Sequence, residues 1–125
     1  MRPSTITYPP KGVKPIGVIE FVHGMCEKRQ RYEKTMRYFN QKGFICAIAD
    51  MKGHGENILT TDDLGYVGEK GYKGLIEDVQ EFTMFLKRRF PILKAVAIQT
   101  HTPNCIRICA TSYLTRKTAK KYTKT

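Results

Sequence analysis

The chain has no tryptophan and only two serines, Ser4 and Ser112, in 125 residues. No acidic residue follows Glu81, and no glycine follows Gly74. No run approaches the ~18–20 apolar residues of a membrane span. The first fifteen residues carry Pro3, Pro9, Pro10 and Pro15 and lack the apolar centre of a secretory signal, so the expected location is the cytoplasm. The four cysteines, at 26, 46, 105 and 109, form no C-x-x-C and match no Cys/His zinc spacing. Neither a disulfide framework, nor a metal, nor a cofactor is expected. Cys105 and Cys109 are four apart and could share a helix face, but two thiols do not define a metal site. With 41% hydrophobic and 10% aromatic residues, the composition excludes a disordered chain.

The net charge of +11 is unevenly placed. Residues 1–81 hold 12 basic and 11 acidic side chains, whereas residues 82–125 hold 10 basic and none acidic. The excess therefore belongs to the last third, and any nucleic-acid reading has to rest on that third alone.

Two continuous apolar runs, 16–22 (IGVIEFV) and 44–49 (FICAIA), have the length and Val/Ile/Phe content of buried strands. Ile6-Thr7-Tyr8 is a short extended piece stopped by Pro9-Pro10. Residues 31–42 predict a helix, with Tyr32, Met36 and Phe39 (or Tyr38) on one face and Gly43 as its stop. Residues 72–90 predict a second, with Leu75, Val79, Phe82 (or Met84) and Leu86 near a 3.6 period. Its acids Glu77, Asp78 and Glu81 come early and Lys87-Arg88-Arg89 late, which suits the helix dipole. Residues 51–71 form a loop punctuated by five glycines, long enough to imply a functional or disordered segment. Residues 95–98 predict a third strand. Strand, helix, strand, helix, strand with continuous apolar strands implies an α/β fold: a parallel sheet covered on both faces. Ligand sites of such sheets form at the strand C-termini.

Two clusters fall at those termini. His23-Gly24-Met25-Cys26-Glu27, followed by Arg31-Tyr32, comes after the first run, and Asp50-Met51-Lys52-Gly53-His54-Gly55 after the second. Singly each is weak, because glycine turns are common. In this order and spacing, residues 16–94 resemble the N-terminal half of an α/β-hydrolase of the monoacylglycerol lipase and lysophospholipase type, the serine aminopeptidase-like hydrolases. That family ends one strand in H-G, then has E and R-Y opening a helix, here His23-Gly24, Glu27 and Arg31-Tyr32. Its next strand ends in D-x-R-G-H-G, here Asp50 to Gly55 with Lys52 in place of arginine. Some bacterial members continue with D-L-G-Y/F-x-G and a helix containing E-D, matched by Asp63-Leu64-Gly65-Tyr66-Val67-Gly68 and Glu77-Asp78. The resemblance assigns an oxyanion-hole donor to the backbone N–H of Met25, where a fixed N–H stabilises the charge that develops on the carbonyl oxygen. It makes His23 a buttress of that loop rather than the catalytic base, and gives Asp50, Gly53, His54 and Gly55 the floor of the pocket. The substrate class it implies is a small lipid or ester, turned over without a cofactor.

The sequence departs from that family at the nucleophile. The position of G-x-S-x-G reads Ile98-Gln99-Thr100-His101-Thr102-Pro103-Asn104, without serine or glycine, and neither Ser4 nor Ser112 has flanking glycine. The family's triad Asp and His are also missing. Cys105 lacks the elbow glycines and a positioned base that a substitute nucleophile would need. The composition breaks near residue 95, which reads as a junction left by a truncation or a shift of reading frame. The expected organisation is thus the N-terminal half of an α/β-hydrolase domain over 1–94 and a basic divergent tail over 95–125. The expected fold is a partial α/β-hydrolase, inactive alone. The alternative is a small non-catalytic basic protein that uses its tail, with Tyr113 and Tyr122 among Arg116, Lys117, Lys120, Lys121 and Lys124, to bind nucleic acid or an acidic surface. Nucleic acid is the less favoured partner, because charge runs of this kind are commonly just solvated.

Overall fold

A computed structural model describes residues 3–24, 27–102 and 105–107. Five strands form one sheet in the order β1-β3-β2-β4-β5. They are β1 (Ser4–Thr7), β2 (Gly17–Val22), β3 (Phe44–Ala49), β4 (Ala95–Thr102) and β5 (Cys105–Arg107). Two helices flank it, α1 (Glu33–Gln41) and α2 (Tyr72–Arg89). Strand β2 runs parallel to both β3 and β4, as the two continuous apolar runs imply.

Both runs are buried on both faces, which is why neither alternates. Successive β3 side chains divide between the two helices. Cys46 and Ile48 join Ile19, Phe21, Tyr32 and Met36 on the α1 side. Ala47 and Ala49 meet Phe82 and Leu86 of α2 on the other. Of the paired alternatives on the helix faces, Phe39 packs on the core while Tyr38 is exposed, and Phe82 is buried while Met84 is exposed. The first helix opens with a 3-10 turn at Arg29–Tyr32 before α1 proper. Gly43 follows it with φ +98°, the left-handed turn that closes a helix and that a side chain would strain.

The three expected strands are parallel, and the sheet is extended at both edges by antiparallel strands that the sequence reading did not place in it. Strand β1 pairs antiparallel with β3, and β5 pairs antiparallel with β4. Only two residues separate β4 from β5, a length that permits a hairpin and excludes a parallel crossover. Strand β4 also continues to Thr102, beyond the 95–98 expected. Cys105 lies in β5, a strand and not a helix, and Cys109 lies outside the described residues. The long 51–71 connection is tied down internally. It carries a 3-10 turn at Thr61–Asp63 with a Thr60/Asp63 capping box, and Gly65 N–H donates to the Gly53 carbonyl at 2.7 Å.

Candidate functional site

The loop leaving β2 is organised by Glu27. Its Oε2 accepts the Gly24 N–H at 2.7 Å and the Tyr32 hydroxyl at 2.7 Å. Arg31, half-exposed, adds an ion pair to Oε1 at 3.7 Å. Tyr32 is itself fixed by its ring, which meets Phe21 with centroids 5.9 Å apart. The Gly24 N–H is therefore spent on the loop's own carboxylate. Met25, whose N–H the resemblance makes the oxyanion donor, lies outside the described residues.

His23 is fully buried and joins this loop to the next. The Met51 N–H donates to its Nε2 at 2.9 Å, and its Nδ1 lies 2.9 Å from the Gly24 carbonyl oxygen. A carbonyl only accepts and an amide N–H only donates, so the two partners fix the neutral ring with its proton on Nδ1. Burial lowers the pKa of His23 and the His54 ring reinforces this, against the raising effects of the Gly24 carbonyl, Asp50 and Glu27.

Asp50 ends β3 and is completely buried, yet well supplied with donors. Oδ1 accepts the Arg29 N–H at 2.9 Å, and Oδ2 accepts the Glu56 N–H at 3.0 Å and an Arg29 guanidinium N–H. Its backbone carbonyl accepts from the Asn57 side-chain amide at 3.0 Å. Arg29 also donates to Thr5 at 3.1 Å and to Glu56 at 2.8 Å. Burial opposes its charge, but the hydrogen bonds to Glu56 and Asp50 outweigh that and raise its pKa. The two glycines of the second cluster have separate reasons. At Gly53 (φ +78°) a side chain would run into the Tyr66 backbone, and at Gly55 (φ +54°) into the Asp50 carboxylate. His54, between them, is buried against the His23 ring at 5.3 Å and its Nδ1 proton goes to the Lys52 carbonyl at 3.0 Å.

The structure thus gathers His23, Gly24, Glu27, Tyr32, Asp50, Gly53, His54 and Gly55 at the C-terminal ends of β2 and β3, with Arg31 at the margin. Sequence reasoning missed Arg29. It stands among Lys28 and Arg31 with no periodic or motif signal, and only the fold shows that it faces Asp50. A cleft of about 590 Å³ lies elsewhere, between the β1 edge and α2, with Ser4, Lys52, Asp78, Phe82 and Arg88 among its walls. Neither His23 nor Gly24 lines it.

Where the resemblance places a nucleophile elbow, the backbone stays in β4 through His101 to Thr102, and β4 pairs antiparallel with β5. Ser4 lies in β1, paired opposite Ala49 at the far edge of the sheet, and Ser112 lies outside the described residues. Among the described residues no group of three or more His, Cys, Asp or Glu side chains is placed to hold a metal. None of their helices is long and apolar enough to cross a membrane.

The family described as Hydrolase_4, serine aminopeptidase S33, matches residues 13–101. The chain belongs to this family of α/β-hydrolases. A thermostable carboxyl esterase from Bacillus coagulans, solved with glycerol, is 31% identical with a TM-score of 0.68 over 75% of this chain. A lipase in its open form is 21% identical with a TM-score of 0.70 over 78% of this chain, a likeness of fold alone. The chain spans only 30% and 31% of those two structures' lengths. No curated protein sequence is significantly similar to it.

Proposed function

We propose that the chain carries the oxyanion-side scaffold of a lysophospholipase- or monoacylglycerol lipase-like ester hydrolase and no nucleophile of its own. The observation that carries this reading is the arrangement at the end of β2. There Glu27 draws in the Gly24 N–H and shapes the turn, and His23 fastens that turn to the Asp50–Gly55 loop. The Gly24 N–H is taken by Glu27, so the donor to a developing oxyanion in this reading is the next N–H, that of Met25, which the resemblance assigns. The carboxyl esterase likeness supports an ester as the substrate class, and the cytoplasm is the location we assign.

Acyl transfer in this family also needs an activated nucleophile and a base oriented by a carboxylate. Residues 98–104, where the resemblance puts the elbow, supply no G-x-S-x-G, and β4 runs on to Thr102 and pairs antiparallel with β5. The chain alone therefore leaves short-chain p-nitrophenyl esters and monoacylglycerols unhydrolysed above buffer, and a fluorophosphonate probe labels neither serine. Turnover with stoichiometric labelling at Ser112 would overturn this reading.

A further inference from the structure

The bond between His23 and Met51 joins two loops through one lone pair. On one side is the turn that leaves β2, and on the other the Asp50–Gly55 segment that follows β3. His23 Nε2 can accept the Met51 N–H only while it carries no proton, and Nδ1 is already committed to the Gly24 carbonyl. A proton taken up from solvent at Nε2 occupies that lone pair. Two N–H groups then face each other across the 2.9 Å that now holds a hydrogen bond.

A second partner stands close by. Asp50 Oδ1 lies 4.0 Å from His23 Nε2, beyond hydrogen-bond distance in the neutral state. An imidazolium at His23 can no longer accept the Met51 amide, and the carboxylate its new N–H faces is already paired with Arg29. Among the described residues, the titratable groups facing His23 from the packed elements are Asp50 and His54 on the second loop and Glu27 on the first. Asp50 and Glu27 favour the proton. His54 opposes it, and Arg29, paired with Asp50, limits how far that carboxylate can serve.

We propose that His23 is a proton-operated latch: neutral, it fastens the Met51 end of the Asp50–Gly55 loop to the end of β2, and protonated, it releases it. This goes beyond the ester-hydrolase reading and does not depend on it, because the latch is read without substrate. Burial disfavours the imidazolium in the closed form. The released form holds a solvated histidine at its ordinary 6.5, so protons drive opening. Linkage between those two states raises the opening constant by up to about 30-fold on going from about pH 7.5 to about pH 5.

Amide hydrogen exchange on the full chain, followed by NMR and corrected for the intrinsic pH dependence, reads this directly. The protection factor of the Met51 amide should fall by up to about 30-fold over that range, while Cys46 and Ile48 in β3 keep theirs. In His23→Gln the side-chain oxygen still accepts the Met51 N–H but does not titrate, so the fall should vanish. Unchanged Met51 protection in the natural chain would overturn the proposal. So would a fall shared equally by Cys46 and Ile48, which means global unfolding, or a fall that persists in His23→Gln. If that variant does not fold, the comparison of Met51 with Cys46 and Ile48 in the natural chain still decides.

Discussion

Arg29 holds Asp50 from two directions, with its backbone N–H on Oδ1 and its guanidinium on Oδ2. The carboxylate is fully buried, so its charge depends on these donors and on the Glu56 N–H. Removing the guanidinium leaves the backbone donors in place and a buried carboxylate without its counter-charge. Arg29→Ala should therefore cost about 2–3 kcal/mol, at the level of a charged hydrogen bond rather than of a whole ion pair stripped of partners. Urea unfolding measures it. Arg29→Lys should recover only part, since an ammonium keeps the charge but not the fork that reaches Asp50, Thr5 and Glu56 together.

Gly55 and Gly12 both have positive φ, yet they should respond differently to alanine. At Gly12 (φ +89°) an added Cβ meets nothing within 4 Å, so only backbone strain opposes it, about 1 kcal/mol. At Gly55 (φ +54°) the same Cβ would lie 2.5 Å from the Asp50 carboxylate oxygens. The carboxylate cannot withdraw without leaving Arg29 and the Glu56 N–H. Gly55→Ala should cost about 3 kcal/mol, because displaced hydrogen bonds add to the strain. Equal losses in thermal melts of the two variants would show that Asp50 does not depend on Gly55.

The strands and helices were legible because they rest on local patterns. The runs 16–22 and 44–49 are apolar apart from Glu20 because both faces of β2 and β3 are covered, and each helix shows its 3.6 period because one face of it is not. The second glycine-bearing cluster was legible as well, since positive φ at Gly53 and Gly55 leaves a trace in the residue type itself. Partnerships across the fold leave no such trace. Arg29 meets Asp50 across 21 positions and Thr83 meets Glu20 across 63. Nothing in the spacing of either pair distinguishes it from an exposed charge or hydroxyl. The antiparallel edges were missed for a related reason, because β1 and β5 are too short to carry a pattern of their own.

Glu20 is one such hidden feature, a carboxylate 1% exposed in the middle of β2. The Thr83 hydroxyl of α2 donates to its Oε2 at 2.7 Å, within wider contacts that both residues make. Thr83→Val keeps the shape of the side chain and deletes the donor. The expected loss is about 1.5–3 kcal/mol, the usual contribution of a hydrogen bond to a charged group. Thr83→Ser, which keeps the hydroxyl, should lose much less. A valine variant as stable as the serine variant in urea would mean that Glu20 draws its support from elsewhere.

Cys46 sets a limit on stability at the alkaline end. Its side chain is fully buried in β3, its thiol faces the Met36 carbonyl oxygen at 3.5 Å, and burial pushes its pKa from 9.0 up to about 12. The folded state thus keeps a proton that the unfolded state releases, so stability is present below pH 9.0 and is lost as pH rises toward 12. Between about pH 8 and about pH 10.5 the loss attributable to this thiol is about 2 kcal/mol. Tyrosines and lysines titrate in the same range, so the measurement is a difference. Cys46→Ala starts less stable because it leaves a void, but its urea midpoint should fall less steeply with pH than that of the natural chain. Iodoacetamide, read out on the Cys46 peptide, gives an independent check: the thiol should be modified only as fast as the sheet opens. Parallel pH profiles, or rapid labelling of Cys46 in the native chain, would mean that the thiol reaches solvent without unfolding.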